Sequence, residues 1–83
     1  MTHFLFKDKL MRYEVFKHII TIENINIESY GIIVFENKKI VKRLFDVSTD
    51  YSALSLLVDL LNKNRVEPIH LDSIIEDFYS DNV

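Results

Sequence analysis

The hydrophobic period of this chain changes once, near residue 48, and that change constrains the architecture more than any other feature. Upstream, in 11–47, apolar and β-branched residues recur mainly at alternate positions, the period of a pleated strand. Downstream, in "VSTDYSALSLLVDLLNKN", they recur three and four apart, the period of a helix. Strands therefore come first and helices second.

The upstream part divides into three strands. Residues 11–22, "MRYEVFKHIITI", place Tyr13 and Val15 on one parity and Phe16, Ile20 and Ile22 on the other. A bulge near Phe16–Lys17 would bring them to one face. "ENIN" (23–26) contains no glycine, so a loop longer than two residues is expected there. In 27–36, Tyr30, Ile32 and Val34 share one face, with Ile33 and Phe35 on the other. A strand apolar on both sides belongs in the middle of a sheet. Gly31 within it suits a bulge or a close backbone approach. "ENKK" reads as a hairpin turn. In the third strand, 39–47, strict alternation puts Val41, Phe45 and Val47 on one side and Ile40 and Leu44 on the other.

Two helices follow. Ser48 or Thr49 is the expected cap of the first, with Asp50 in its first turn near the positive end of the helix dipole. Leu54, Leu57, Val58 and Leu61 form one stripe and Ala53, Leu56 and Leu60 a second. Together they exceed the roughly 100° arc that a surface helix needs. This helix should therefore touch the sheet and something else. After Pro68, Leu71, Ile74, Ile75 and Phe78 have the i, i+3, i+4, i+7 spacing of a buried face. The expected fold is α+β: a three-stranded antiparallel β-meander followed by two α-helices packed on one face, β-β-β-α-α, in a single domain. The first ten residues, with "HFLF", are expected to form a mobile or fold-back segment.

A chain of 83 residues buries a modest fraction of its surface and, without cysteine, has neither disulfides nor a thiolate metal cage to staple it. Association with another chain is the remaining common route to more burial. No apolar run is long enough for a signal peptide or a membrane span, so a cytoplasmic protein is expected. Charge is unevenly divided. Residues 1–43 carry eight Lys/Arg and five Asp/Glu, net +3; residues 44–83 carry two and eight, net −6.

The densest cluster of chemically capable side chains is "EPIHLDSIIEDF" (67–78). With His70 as N-cap, Ile69 and Ile74 take the two positions of a hydrophobic staple, and Asp72 enters the first turn. The metal alternative offers His70, Asp72 and Glu76 from one element, and His3 and His18 add no second cluster. Metal sites draw on three or four converging ligands. Acid–base catalysis needs carboxylates in a pocket, whereas Asp72, Glu76 and Asp77 lie on the polar side of an amphipathic helix. One glycine in the chain excludes glycine-rich phosphate loops and a nucleophile elbow. No catalytic, cofactor-binding or metal residue is assigned, and no cofactor is expected. Lys38, Lys39, Lys42 and Arg43 form a basic hairpin, the kind of ribbon that contacts phosphates. The net acidic balance argues against that use.

At "SYGI" (29–32), "DVSTD" (46–50) and above all "PIHLDSIIEDF" (68–78), the chain resembles a family of short clostridial proteins classed as a domain of unknown function. The resemblance covers most of the chain after about residue 12 and implies no activity.

The expected function is a small non-enzymatic protein-interaction or regulatory module, homodimeric, with a partner interface drawn from Ile33, Phe35, Ile40, Leu44, Leu56 and Leu60. The alternative is a nucleic-acid-binding regulator using Lys38, Lys39, Lys42 and Arg43.

Overall fold

The computed structural model describes residues 10–81. The fold-back segment expected in the first ten residues lies outside them, Leu10 excepted. Three antiparallel strands, β1 (Met11–Ile22), β2 (Ile25–Glu36) and β3 (Lys39–Ser48), form a sheet in the order β1-β2-β3. Helix α1 (Tyr51–Lys63) follows, then a 3₁₀ turn (Pro68–His70) that leads into α2 (Leu71–Asp81). The α+β meander-then-helices arrangement is the one the change of period implies.

β1 and β2 pair without interruption from Met11↔Glu36 to Ile22↔Ile25. The bulge expected near Phe16–Lys17 is absent. Each parity of β1 keeps its own face, because both faces of the sheet carry apolar side chains. The β1–β2 connection is also tighter than expected. It is a two-residue turn with Glu23 at φ 50° and Asn24 at φ 67°, so β2 begins at Ile25 rather than 27. Asparagine tolerates the left-handed region well enough to serve where glycine usually stands. The β2–β3 turn repeats the device with Asn37 (φ 54°) and Lys38 (φ 71°).

The irregularities fall in β3. Register shifts lie between Val34 and Phe35 and between Tyr30 and Ile32. They break the strict alternation expected there. Ile40 lies opposite Phe35, Leu44 lies opposite Ile32, and Val47 is buried in the core. Gly31 sits where the second shift brings β3 close: a Cβ there would stand 2.1 Å from the Leu44 carbonyl oxygen. Glycine is required by that approach, as its position in the strand suggests.

The two helices cover one sheet face. Tyr13, Ile32, Val34 and Val47 from the sheet bury against Leu54, Val58 and Leu61 of α1 and Leu71 and Ile75 of α2. Leu57, Ile74 and Phe78 pack at the margin, so the first stripe of α1 and the expected face of α2 bury, while Leu56 and Leu60 of the second α1 stripe stay exposed. The cap of α1 is Asp50, not Ser48 or Thr49: its carboxylate accepts the Ala53 N–H at 3.1 Å. Ser48 stands one step earlier, its hydroxyl oxygen accepting the Asp50 N–H at 2.9 Å. α1 ends with Arg65 left-handed (φ 50°), Arg65 N–H donating to Asn62 O and Val66 N–H to Leu61 O. That is a helix end of the Schellman kind without its usual glycine.

His70 is not a cap. The helical turn starts three residues earlier, with Glu67 extended and Pro68 at the first position, where a missing N–H costs nothing. Ile69 is 81% exposed, so the staple with Ile74 does not form. Asp72 does lie in the first turn of α2, and 3.5 Å from Lys42.

Candidate protein-interaction surface

The sheet face away from the helices can be followed rung by rung from the pairing register, because directly opposed residues share a face. Arg12, Phe35 and Ile40 form one rung; Glu14, Ile33 and Arg43 form the next. Phe16 then stands opposite Gly31, His18 opposite Ser29, Ile20 opposite Ile27 and Ile22 opposite Ile25. Neither α1 nor α2 packs on this side. β3 pairs with β2 only between Tyr30 and Glu36, so the far end of the β1–β2 hairpin continues as a two-stranded ribbon.

The middle of this face is organised by Gly31. With no side chain there, the Phe16 ring lies over the backbone and meets Phe45 edge-on at 5.2 Å. His18 completes the group, 5.3 Å from both rings. Edge-to-face rings at such spacings gain about 0.5–1.5 kcal/mol beyond area burial. Beside them runs a polar chain. The fully buried Ser29 hydroxyl donates to Asp46 Oδ1 at 2.6 Å, and the Asp46 N–H donates to His18 Nε2 at 2.8 Å. Asp46 is itself left-handed (φ 54°), at the second register shift.

Ser29, Asp46 and His18 are the residue types of a hydrolytic triad, but the hydrogen bonds are not those of one. The serine proton is directed to the carboxylate, and the imidazole nitrogen receives a backbone proton. What the chain does is tie β3 to β1 across β2. No periodicity in the sequence points to it, because the register shifts in β3 decide which residue reaches His18.

At one end of the face, Arg12 lies 5.5 Å from the centre of the Phe35 ring and is ion-paired with Glu14. A depression of about 470 Å³ is lined there by Leu10, Met11, Arg12, Phe35 and Lys38. At the other end stand Ile20, Ile22, Ile25 and Ile27. Phe45 is 60% exposed, and Ile22, Ile25 and Ile40 are also open to solvent.

Of the six residues expected to form one interface, the structure brings together Ile33, Phe35 and Ile40 on this face. Leu44 points the other way and packs against the core, because the shift at Val41 reverses its parity relative to Ile40. Leu56 and Leu60 are exposed on α1, on the helix-bearing side of the molecule, and form a separate surface. Phe16, Phe45 and the ribbon isoleucines belong to the face but were not among the residues expected there. The parity of β1 carries that signal, and the expectation of a bulge at Phe16–Lys17 masks it.

The basic residues do not form one patch. Lys38 is in the turn, Lys39 opposes Glu36, Lys42 is on the helix side with Asp72, and Arg43 is on the outer face. Among the described residues no group of three or more His, Cys, Asp or Glu converges as a metal set; His70 and Glu76 are exposed, and His3 lies outside those residues. Burial first and nearby Glu67 second hold the Tyr13 pKa above its ordinary value, in a residue of the core rather than of a pocket.

A family model described as "Family of unknown function (DUF6514)" matches residues 6–81. The chain belongs to this family. Among curated proteins and among solved structures, no match was found. Within this DUF6514 chain, two of the segments singled out in the sequence, "SYGI" and "DVSTD", meet in space: Ser29 of the first holds Asp46 of the second. No helix among the described residues is long and apolar enough to cross a membrane.

Proposed function

We propose that this chain is a non-enzymatic protein-interaction module, and that its contact surface is the outer sheet face running from Phe35 and Ile40 to Ile22 and Ile25. The observation that carries this reading is an apolar face that none of the described residues covers. Both helices are used on the opposite side, yet the outer side holds Phe16, Ile33, Phe35 and Phe45 together with five further isoleucines, Ile20, Ile22, Ile25, Ile27 and Ile40. Contiguous apolar surface of this kind is uncommon on a protein that works alone. Fully burying one such side chain gains about 1.5–3 kcal/mol, so a few of them suffice to drive association against its entropic cost.

The test is site-specific photocrosslinking in the cells that make the protein. A photoreactive phenylalanine analogue at Phe45 should give a discrete adduct that mass spectrometry identifies. The same analogue at exposed Asp77 on α2 should not. Indistinguishable adduct patterns from the two positions, or none from Phe45, would overturn the reading.

A further inference from the structure

We infer that the outer face docks against the same face of a second copy, about a two-fold axis running along β2, so that Glu14 of each copy meets Arg43 of the other. This rests on the outer face being a contact surface and adds the identity and orientation of what covers it.

The charge pattern supplies the argument. The rung Glu14–Ile33–Arg43 puts a carboxylate on one edge of the face and a guanidinium on the other, with an apolar residue between. Two strand spacings, about 10 Å, separate them within one copy. Glu14 is already bridged to Arg12 on its own strand, whereas Arg43 has no ion-pair partner among the described residues. A two-fold axis along β2 exchanges left and right while preserving position along the strands. It therefore places β1 of one copy over β3 of the other, and the carboxylate of each rung over the guanidinium of its mate. Packed sheets lie about 10 Å apart with strands within about 30° of aligned, a gap that Glu and Arg side chains span from both sides.

The same operation matches the rest of the face. Phe35 and Ile33, both on β2, meet their own copies on the axis. Phe16 of one copy lies over Phe45 of the other. On the ribbon, which β3 does not reach, Ile25 and Ile27 of β2 meet their own copies, whereas a two-fold perpendicular to β2 would set the ribbon against the Arg12 end. A partner of strong net charge is poorly served by this face, whose Arg12, Glu14, Arg43 and Asp46 balance. The twelve-residue β1–β2 hairpin, at about 3.4 Å per residue, makes the face roughly 40 Å long, about 15 Å wide where β3 is paired and about 10 Å wide along the ribbon, a footprint that approaches the roughly 800 Å² per partner of a standard interface once side-chain relief is included.

The experiment compares the full chain with Glu14→Arg, Arg43→Glu and the double exchange, by analytical ultracentrifugation over a concentration series. The full chain should be a dimer at micromolar concentration. Each single exchange should weaken the dimer by about tenfold or more, since it sets like charges against each other. The double exchange should restore it. Because the chain has no cysteine, Ile33→Cys gives an independent readout: a short bis-maleimide should join two copies there and not at Asp77→Cys. A monomer throughout would overturn the inference, while Phe45 adducts to a different protein would leave the proposed function standing. A dimer indifferent to both charge exchanges and unlinked at Ile33→Cys would overturn it as well.

Discussion

The side-chain amide of Asn62 takes both outward backbone groups of Tyr13: Tyr13 N–H donates to Asn62 Oδ1 at 2.9 Å, and Asn62 Nδ2 donates to Tyr13 O at 3.0 Å. The amide thus mimics a passing strand at one point of the open β1 edge. Tyr13 returns the contact through its hydroxyl, which donates to Val66 O at 2.5 Å just beyond α1. The end of α1 is fastened to the sheet by these three bonds.

Asn62→Ala should destabilise the chain by about 2 kcal/mol, from two bonds worth about 1 kcal/mol each. Asn62→Asp should be no milder. It keeps the acceptor for Tyr13 N–H but sets a carboxylate oxygen against Tyr13 O. Urea melts of the three proteins check this, and a fully stable Asn62→Asp would refute the two-bond account.

Tyr13 gives the chain an alkaline limit. Its pKa is raised above the ordinary 10.0, by burial first and by Glu67 second. A raised pKa means that the unfolded chain loses this proton before the folded chain does. The tyrosine's contribution is therefore intact below pH 10, and stability falls as pH climbs from there through the folded-state pKa. Absorbance titration should show one of the four tyrosines ionising late. That late component should vanish in Tyr13→Phe. Its persistence in the variant would assign it to another tyrosine.

The two helix starts make opposite expectations testable together. Asp50→Ala should cost about 1 kcal/mol, the usual loss for a capping side chain. His70→Ala should stay within about 0.5 kcal/mol, as an exposed residue inside a helical turn. Thermal melts showing the reverse order would mean that α2, not α1, depends on a side-chain cap.

Much of this fold is legible in the sequence. Period alone places the strands and helices, since Tyr13, Ile32, Val34, Leu54, Val58 and Leu71 bury as their spacing demands. It fails where one residue changes the count. The shift at Val41 puts Ile40 and Leu44 on different contacts from those that alternation assigns, and β1 proves regular although both its parities are apolar. The cap of α1 lies one residue after Thr49 and two after Ser48, and the last helical segment starts three residues earlier than expected; Asp50 is at least as good a cap as either, so residue preference alone does not choose among the three. The outer surface was half legible: Ile33 and Phe35 follow from β2 being central, while Phe45, His18 and Asp46 depend on the β3 irregularities.

Gly31 is where those irregularities become a stability requirement. A Cβ there would stand 2.1 Å from the Leu44 carbonyl oxygen and 2.7 and 2.8 Å from two carbons of the Phe16 ring. The ring could turn aside; the carbonyl belongs to the β2–β3 ladder and cannot move without opening it. Gly31→Ala should therefore cost about 3 kcal/mol, at the upper end of the overpacking range. Removing the ring clash with Phe16→Leu should recover little of that in the double variant. If Phe16→Leu instead restores most of the lost stability, the glycine is there for the aromatic group alone, and the close approach of β3 is not what fixes its identity.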